Sequence, residues 1–268
     1  MIADNAEDDA TAHTEDRSEP PLDAERPEVR GAPSHESPRR PGLLAGIAAA
    51  IKEVAVVAVM AMALSFVVKT WLIQAFFIPS GSMEDTLLIG DRVIVNKLVP
   101  DAMDLHRGDI VVFADPGSWL PPTQGTDRGP LLNALEDGLV FVGLLPDTAE
   151  DHLIKRVIGL PGDRVACCDA QGRLTVNGTP VDETYLFPGD EPSSLAFDIV
   201  VPQGSVWVMG DHRSNSDDSR YHDTSGDGLS GSVPIDDITG RAVAIVWPFA
   251  RWTGLGDGTA AFGTVPAP

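Results

Sequence analysis

Lysine is scarce in this chain of 268 residues: only Lys52, Lys69, Lys97 and Lys155 occur, and arginine supplies the rest of the 19 bases. Against them stand 40 Asp and Glu, for a formal net charge of −21. That balance excludes a nucleic-acid partner, because a phosphate backbone needs Lys and Arg to displace its counterions. Cysteine is limited to Cys167 and Cys168, too few for a disulfide scaffold or a four-Cys zinc site. The six histidines (His13, His35, His106, His152, His212 and His222) include no His-x-x-x-His pair spaced to hold a metal. No metal, nucleotide or other cofactor is expected.

What is present is unevenly distributed. Residues 1–42 carry eleven acids, five arginines and many Pro, Ser and Ala, without apolar periodicity. Burial cannot offset the ordering entropy of such a segment, so a disordered tail is expected. Composition then changes abruptly. Leu43 to Ile51 is apolar, Lys52 and Glu53 interrupt, and from Val54 to Val68 only Ser65 is polar. Val54 to Phe76 is 23 residues, roughly 34 Å as a helix against a hydrocarbon core of about 30 Å. Lys69 can snorkel outward, and Trp71 sits where an interfacial aromatic belt would place it. A cleaved leader is a poor reading, since the apolar run starts more than forty residues in. The spacing predicts one membrane anchor over 43–76. Arg39, Arg40 and Lys52 flank its N-terminal end, so the positive-inside rule puts the N-terminus in the cytoplasm and residues 77–268 outside.

The outer portion reads as strands. Asp91–Lys97, Arg107–Phe113, Asp163–Cys168, Arg173–Asn177, Ser205–Met209 and Arg241–Trp247 are short apolar or alternating runs bounded by Gly, Pro or Asp. Short strands without alternating helices predict a mainly β, antiparallel fold. One stretch differs: Gly129–Gly138 has the pattern of an amphipathic helix inside an insertion over about 117–150. Neighbouring cysteines close a strained ring, so Cys167 and Cys168 are expected as two buried thiols in preference to a vicinal disulfide.

Three segments carry groups fit for chemistry. Ser80 and Ser82 sit on a bend constrained by Pro79 and Gly81. Ser82 with Asp85 three residues on reads as a helix cap, or Ser82 reads as a nucleophile. A nucleophile needs a base in hydrogen-bond reach and donors aimed at the developing oxyanion; Ser80 Oγ and the Ser82 N–H are candidates for the latter. The base is open among His106, His152, His212 and Lys155. Lys155 lies among aliphatics in Leu153-Ile-Lys-Arg-Val-Ile-Gly-Leu-Pro-Gly-Asp163, and desolvation there would lower its pKa. Reaching 7–8 needs roughly 3–4 kcal/mol, while arginine stays protonated whatever its surroundings. Alone, however, a Lys-Arg pair reads as a solvated strand edge. The third segment, Gly210-Asp-His-Arg-Ser-Asn-Ser-Asp-Asp-Ser-Arg220, has no apolar side chain and reads as a polar loop or as a hydrogen-bonded ledge in which Ser216 orients the lysine. Asp218 would pair with Arg156 or Arg220.

Together these segments resemble bacterial type I signal peptidases, membrane-anchored serine proteases with a Ser/Lys dyad. Pro79-Ser-Gly-Ser-Met-Glu-Asp-Thr-Leu87 is similar to the family's nucleophile box and Asp91–Lys97 to the strand after it. Arg107–Phe113, Lys155–Asp163 and Gly210–Arg220 match the remaining boxes in order. The resemblance implies that Ser82 is the nucleophile and Lys155 the general base. It further implies that Ser80 donates to the oxyanion and that Ser216 positions Lys155. His212 departs from the Asn common at its place, and 117–150 has no counterpart. The fold implied is an antiparallel β catalytic domain over 77–268 with an apolar face near the bilayer. Implied partners are exported preproteins, with small side chains at the first and third positions before the cut, and membrane lipid; the chain is expected to be a monomer. A peptidase specialised for a few precursors fits the same residues. The alternative is a non-catalytic, membrane-anchored β-domain binding extended peptides, which would have no use for both Ser82 and Lys155.

Overall fold

The computed structural model describes residues 43–117, 119–120, 129 and 152–268. The expected tail over 1–42 lies outside them, as does the helix expected over 129–138 apart from Gly129, and most of the 117–150 insertion.

One α-helix, α1, runs Leu43–Trp71. Its Ala, Leu, Val and Met residues are helix formers or tolerated by a helix. Within it Gly46–Trp71, 26 residues, is long and apolar enough to cross a membrane. Ile51, Val54, Met60 and Leu64 stay exposed, as a helix apolar all round requires of a lipid environment. The helix stops at Trp71, short of the expected 76. Ile73–Phe77 forms strand β1 instead, because it pairs in antiparallel register with β2, Arg92–Asn96, from Ile73↔Asn96 to Phe77↔Arg92. An apolar run that continues from helix into strand shows no break in hydropathy, so the boundary was hidden from the pattern.

Ten further strands follow: β3 Ile110–Ala114, β4 His152–Gly159, β5 Arg164–Cys167, β6 Thr175–Val176, β7 Thr179–Pro180, β8 Phe197–Val200, β9 Ser205–Met209, β10 Val233–Pro234, β11 Ile238–Trp247 and β12 Thr253–Gly254. Among the described residues they make two sheets. The larger has the order β1-β2-β11-β3-β4-β9-β10 with β12 on β11; the smaller is β7-β6-β5-β8. Every pairing is antiparallel. The expected mainly β, antiparallel fold is the fold observed.

The middle of the larger sheet is covered on both faces. Ile110 and Val112 of β3 pack with Phe76, Val93, Val95 and Ile154, while Val111 and Phe113 pack with Val157, Val206 and Val208. This explains why β3 reads as an uninterrupted apolar run. β4, between β3 and β9, is buried from Ile154 onward, and it presents Lys155. At the end of β5 the structure joins Cys167 and Cys168 in a disulfide, against the expectation of two thiols. The residues are adjacent in the chain, with Cα atoms 3.0 Å apart.

Candidate active site

The turn after β1 is pinned at both ends. The Ile78 N–H donates to Asp91 O and the Gly90 N–H to Ile78 O, each at 2.9 Å. Met83 and Leu87, both fully buried, anchor it in the core. No helix starts at Ser82. Asp85 takes a positive φ of 82°, which breaks a right-handed helix, so the capping reading fails. Ser82 is 6% exposed.

Lys155 stands opposite Val111 in the β3–β4 register and is 4% exposed. Its Nζ lies 2.7 Å from Ser82 Oγ. Burial disfavours the ammonium and lowers the Lys155 pKa from 10.5 to about 8, against the opposing pull of Asp218 and Asp217. Ser82 Oγ is the sole hydrogen-bond partner of that amine among the described residues. His106, His152 and His212 make no bond to Ser82 Oγ. Seventy-three residues of chain separate Ser82 from Lys155, and the order of strands in the sheet brings them together.

The loop after β9 closes the site. Gly210 has no room for a Cβ, which would strike the Ser82 carbonyl and the Ser216 hydroxyl. Ser216 Oγ donates to Asp218 Oδ2 at 2.7 Å, and the Gly210 N–H to the same oxygen at 3.0 Å. Arg220 donates to both Asp218 oxygens at 2.8 Å. Burial alone would raise the Asp218 carboxyl, yet Arg220 and these donors hold it below its ordinary range. The Ser216 hydroxyl thus donates to the carboxylate whose charge favours the Lys155 ammonium. Arg156 pairs with Asp211 rather than Asp218, through Nε at 2.8 Å and Nη2 at 2.5 Å. Thr86 Oγ1 donates to the same carboxylate at 2.6 Å.

His212 faces the other side of the nucleophile turn. Its N–H donates to Ser82 O at 3.1 Å. Its Nδ1 lies 3.1 Å from Glu84 Oε2 and 3.3 Å from Gly81 O, and its ring stacks on Phe187 at 3.9 Å. Ser80 is exposed, and neither its hydroxyl nor the Ser82 N–H has an acceptor among the described residues, leaving both donors available to an oxyanion. No cluster of three His, Cys, Asp or Glu able to hold a metal occurs among the described residues.

Sequence reasoning missed Glu84, Thr86 and Asp211. Each lies inside or beside a motif that drew attention, but nothing in a linear pattern says which carboxylate meets which partner. The i, i+1 placement of Lys155 and Arg156 was the available signal, since neighbours on a strand face opposite ways and must find different partners.

Comparison with known proteins places the chain in a family. The family model described as "Signal peptidase, peptidase S26" matches residues 51–247. A probable signal peptidase I of Mycobacterium leprae is 38% identical over 232 residues, covering 77% of this chain and 80% of its own. A signal peptidase I of Mycobacterium tuberculosis is 39% identical over 220 residues, covering 75% and 74%. One from Pseudomonas fluorescens is 31% identical over 226 residues, covering 68% of each chain. The chain belongs to the signal peptidase family, peptidase S26, and is a serine endopeptidase of that family.

Proposed function

We propose that the protein removes N-terminal signal peptides from exported preproteins by a Ser82/Lys155 dyad. The 2.7 Å contact between a buried amine and a buried hydroxyl carries the reading. Once neutral, Lys155 accepts the Ser82 proton through that contact while Oγ attacks the peptide carbonyl. The Ser82 N–H and the Ser80 hydroxyl stabilise the oxyanion. The amine passes its proton to the leaving amino group, giving an acyl-enzyme. Water activated by the same lysine then hydrolyses the ester. Asp218, held by Arg220 and Ser216, sets the charge beside the lysine without touching the reacting atoms.

Placement supports the same reading. The helix α1 provides a single span, with the N-terminus inside and residues 77–268 outside. An apolar band also lies across one end of strands β1, β2 and β11. Phe77 and Trp247 both stand in register with Arg92, and the rings of Phe249 and Trp252, 68% and 67% exposed, continue it. Aromatics at such a strand end suit a bilayer interface, where a tethered preprotein would present its cleavage site.

The test is incubation of the detergent-solubilised protein with a synthetic preprotein, mapping the cut by mass spectrometry. Cleavage after a signal segment, abolished by Ser82→Ala and by Lys155→Ala in folded protein, is the expected result. A dead His212→Ala beside an active Lys155→Ala would replace the dyad with a Ser/His hydrolase.

A further inference from the structure

The Cys167–Cys168 disulfide lies at the end of β5 with its two sulfurs in unlike surroundings. Cys167 is buried in a core cluster with Leu174, Tyr185 and Trp207, while Cys168 is exposed. A thiolate arriving from solvent therefore meets Cys168 Sγ, and Cys167 is the sulfur it displaces. Cys167 Sγ lies 4.0 Å from the carbonyl oxygen of Ser193, a residue only 9% exposed. No other donor reaches that oxygen among the described residues. A disulfide sulfur carries no hydrogen, whereas a thiol is a weak donor. The Ser193 carbonyl thus lacks a donor in the oxidised protein and gains one on reduction, a contact that differs between the two states.

Ser193 belongs to a turn that backs the loop beside the dyad. Its hydroxyl accepts from Arg220 Nη1 at 3.5 Å, and Pro192 O accepts from Arg213 Nη1 at 2.7 Å. Arg220 holds both oxygens of Asp218, and Arg213 Nε donates to Gly210 O at 2.9 Å. The turn at Pro192 and Ser193 therefore supports both arginines from behind. A chain of contacts runs from Cys167 through Ser193 and Arg220 to Asp218, whose charge acts on Lys155.

We propose that Cys167 and Cys168 form a thiol–disulfide switch, opened by a dithiol on the extracytoplasmic face, whose reduced state steadies the loop beside the dyad. The inference rests on the peptidase reading above. One thiolate of the reductant attacks Cys168 Sγ and forms a mixed disulfide; the Cys167–Cys168 bond breaks, and Cys167 leaves as a thiolate that takes up a proton. The reductant's second thiol then attacks its own sulfur in the mixed disulfide and releases Cys168 as a thiol. The reductant ends as a disulfide, and the two cysteines have gained two electrons and two protons. A monothiol is a poor substitute, because the adjacent Cys167 attacks the mixed disulfide and closes the bond again. Once reduced, the Cys167 S–H donates to Ser193 O, and the turn behind Arg213 and Arg220 gains a further hold.

The chain has two cysteines, so a count of free thiols reads this bond alone. The full chain in detergent micelles is left oxidised or treated with dithiothreitol. Alkylation and mass spectrometry count the thiols, and a synthetic preprotein gives kcat and KM. Folded protein should go from no free thiols to two on treatment. Its kcat should rise about 2- to 5-fold, the range of one weak hydrogen bond, with KM steady. Cys168→Ser, altered at the exposed position, keeps the Cys167 thiol, so it should match the reduced chain and ignore dithiothreitol. Cys167→Ala has no S–H and should stay at the oxidised rate with or without the reductant. A bond that resists dithiothreitol in folded protein, or a kcat unchanged on reduction, overturns the proposal while leaving the dyad reading intact. So does a response to dithiothreitol in Cys168→Ser. Absence of cleavage in every form overturns the dyad reading, and with it the effect on the loop.

Discussion

Lys155 and Arg156 are consecutive on β4, face opposite sides of the sheet, and are both buried, yet only Arg156 has a carboxylate in contact. Asp211 grips the guanidinium, and the Tyr185 ring lies 4.0 Å from it. Lys155 has a hydroxyl for a neighbour and its carboxylates at a distance, so desolvation wins and its pKa falls to about 8. In the proposed mechanism cleavage depends on the neutral amine, so its rate should rise about tenfold per pH unit below 8 and level off above it. A pH series of kcat/KM with a peptide substrate checks this; a rate that is flat or falls between pH 6 and 8 would contradict it.

The same burial has a cost in stability. The folded-state pKa of Lys155 lies below its unfolded value, so the unfolded chain binds more protons between about 8 and 10.5 and stability rises with pH across that window. Below pH 8 the folded protein holds a buried ammonium at a cost of about 3 kcal/mol, at about 1.4 kcal/mol per unit. Lys155→Met should therefore unfold later than the natural chain at pH 7, by up to about 3 kcal/mol in denaturant titrations. The gain should fade above pH 10. A variant less stable than the natural chain at pH 7 would falsify the desolvation account.

The antiparallel fold was legible in short strands bounded by turn residues, and the core of the site in five ordered boxes. What stayed hidden depends on contacts distant in sequence. The end of α1 is invisible in hydropathy because β1 is as apolar as the helix before it. Likewise, Ser216 was expected to position Lys155, and the Asp218 carboxylate to which its hydroxyl donates could not be picked out from the sequence. Arg156 meets Asp211 from its face of β4, while Arg220, in the turn of helix Ser219–His222, meets the Asp218 that caps it. Polar loops hold many equivalent carboxylates, and only packing distinguishes them.

Ser80 offers a hydroxyl with no acceptor among the described residues. Its use arises only when negative charge forms on the carbonyl oxygen. Ser80→Ala should lower kcat by about 10²- to 10³-fold while KM changes little, since the ground-state carbonyl gains less from the bond. Steady-state kinetics separate the two parameters; a loss confined to KM would assign Ser80 to binding.

Asp218 favours the ammonium form of Lys155. Asp218→Asn removes that pull and leaves Arg220 unpaired nearby, so both changes lower the lysine pKa. The inflection of the pH–rate curve should move below 8. Breaking this buried pair costs about 3–5 kcal/mol, so the profile is measured at low temperature, with thermal unfolding as control. Ser216→Ala leaves Asp218 its bonds to Arg220 and the Gly210 N–H, so its inflection should stay near that of the natural chain. An inflection that moves upward in Asp218→Asn would contradict the assignment.

His212 clamps the nucleophile turn from both sides of Ser82, through its backbone to Ser82 O and through Nδ1 to Glu84 and Gly81. Both groups facing Nδ1 are acceptors, so that nitrogen carries the proton and serves as a donor. In the proposed mechanism, where Lys155 is the base, it holds the turn in position. His212→Ala leaves the Ser82 carbonyl bond intact and frees the Glu84 side of the turn. A nucleophile held less well costs rate more than binding, so kcat should fall about 3- to 10-fold, the equivalent of one lost hydrogen bond, with KM within about 2-fold. His212→Asn, whose amide can also donate toward Glu84, should recover most of the loss. A purely structural role would lower the unfolding temperature of both variants and leave kcat unchanged in the folded fraction, which single-turnover measurements below the transition distinguish.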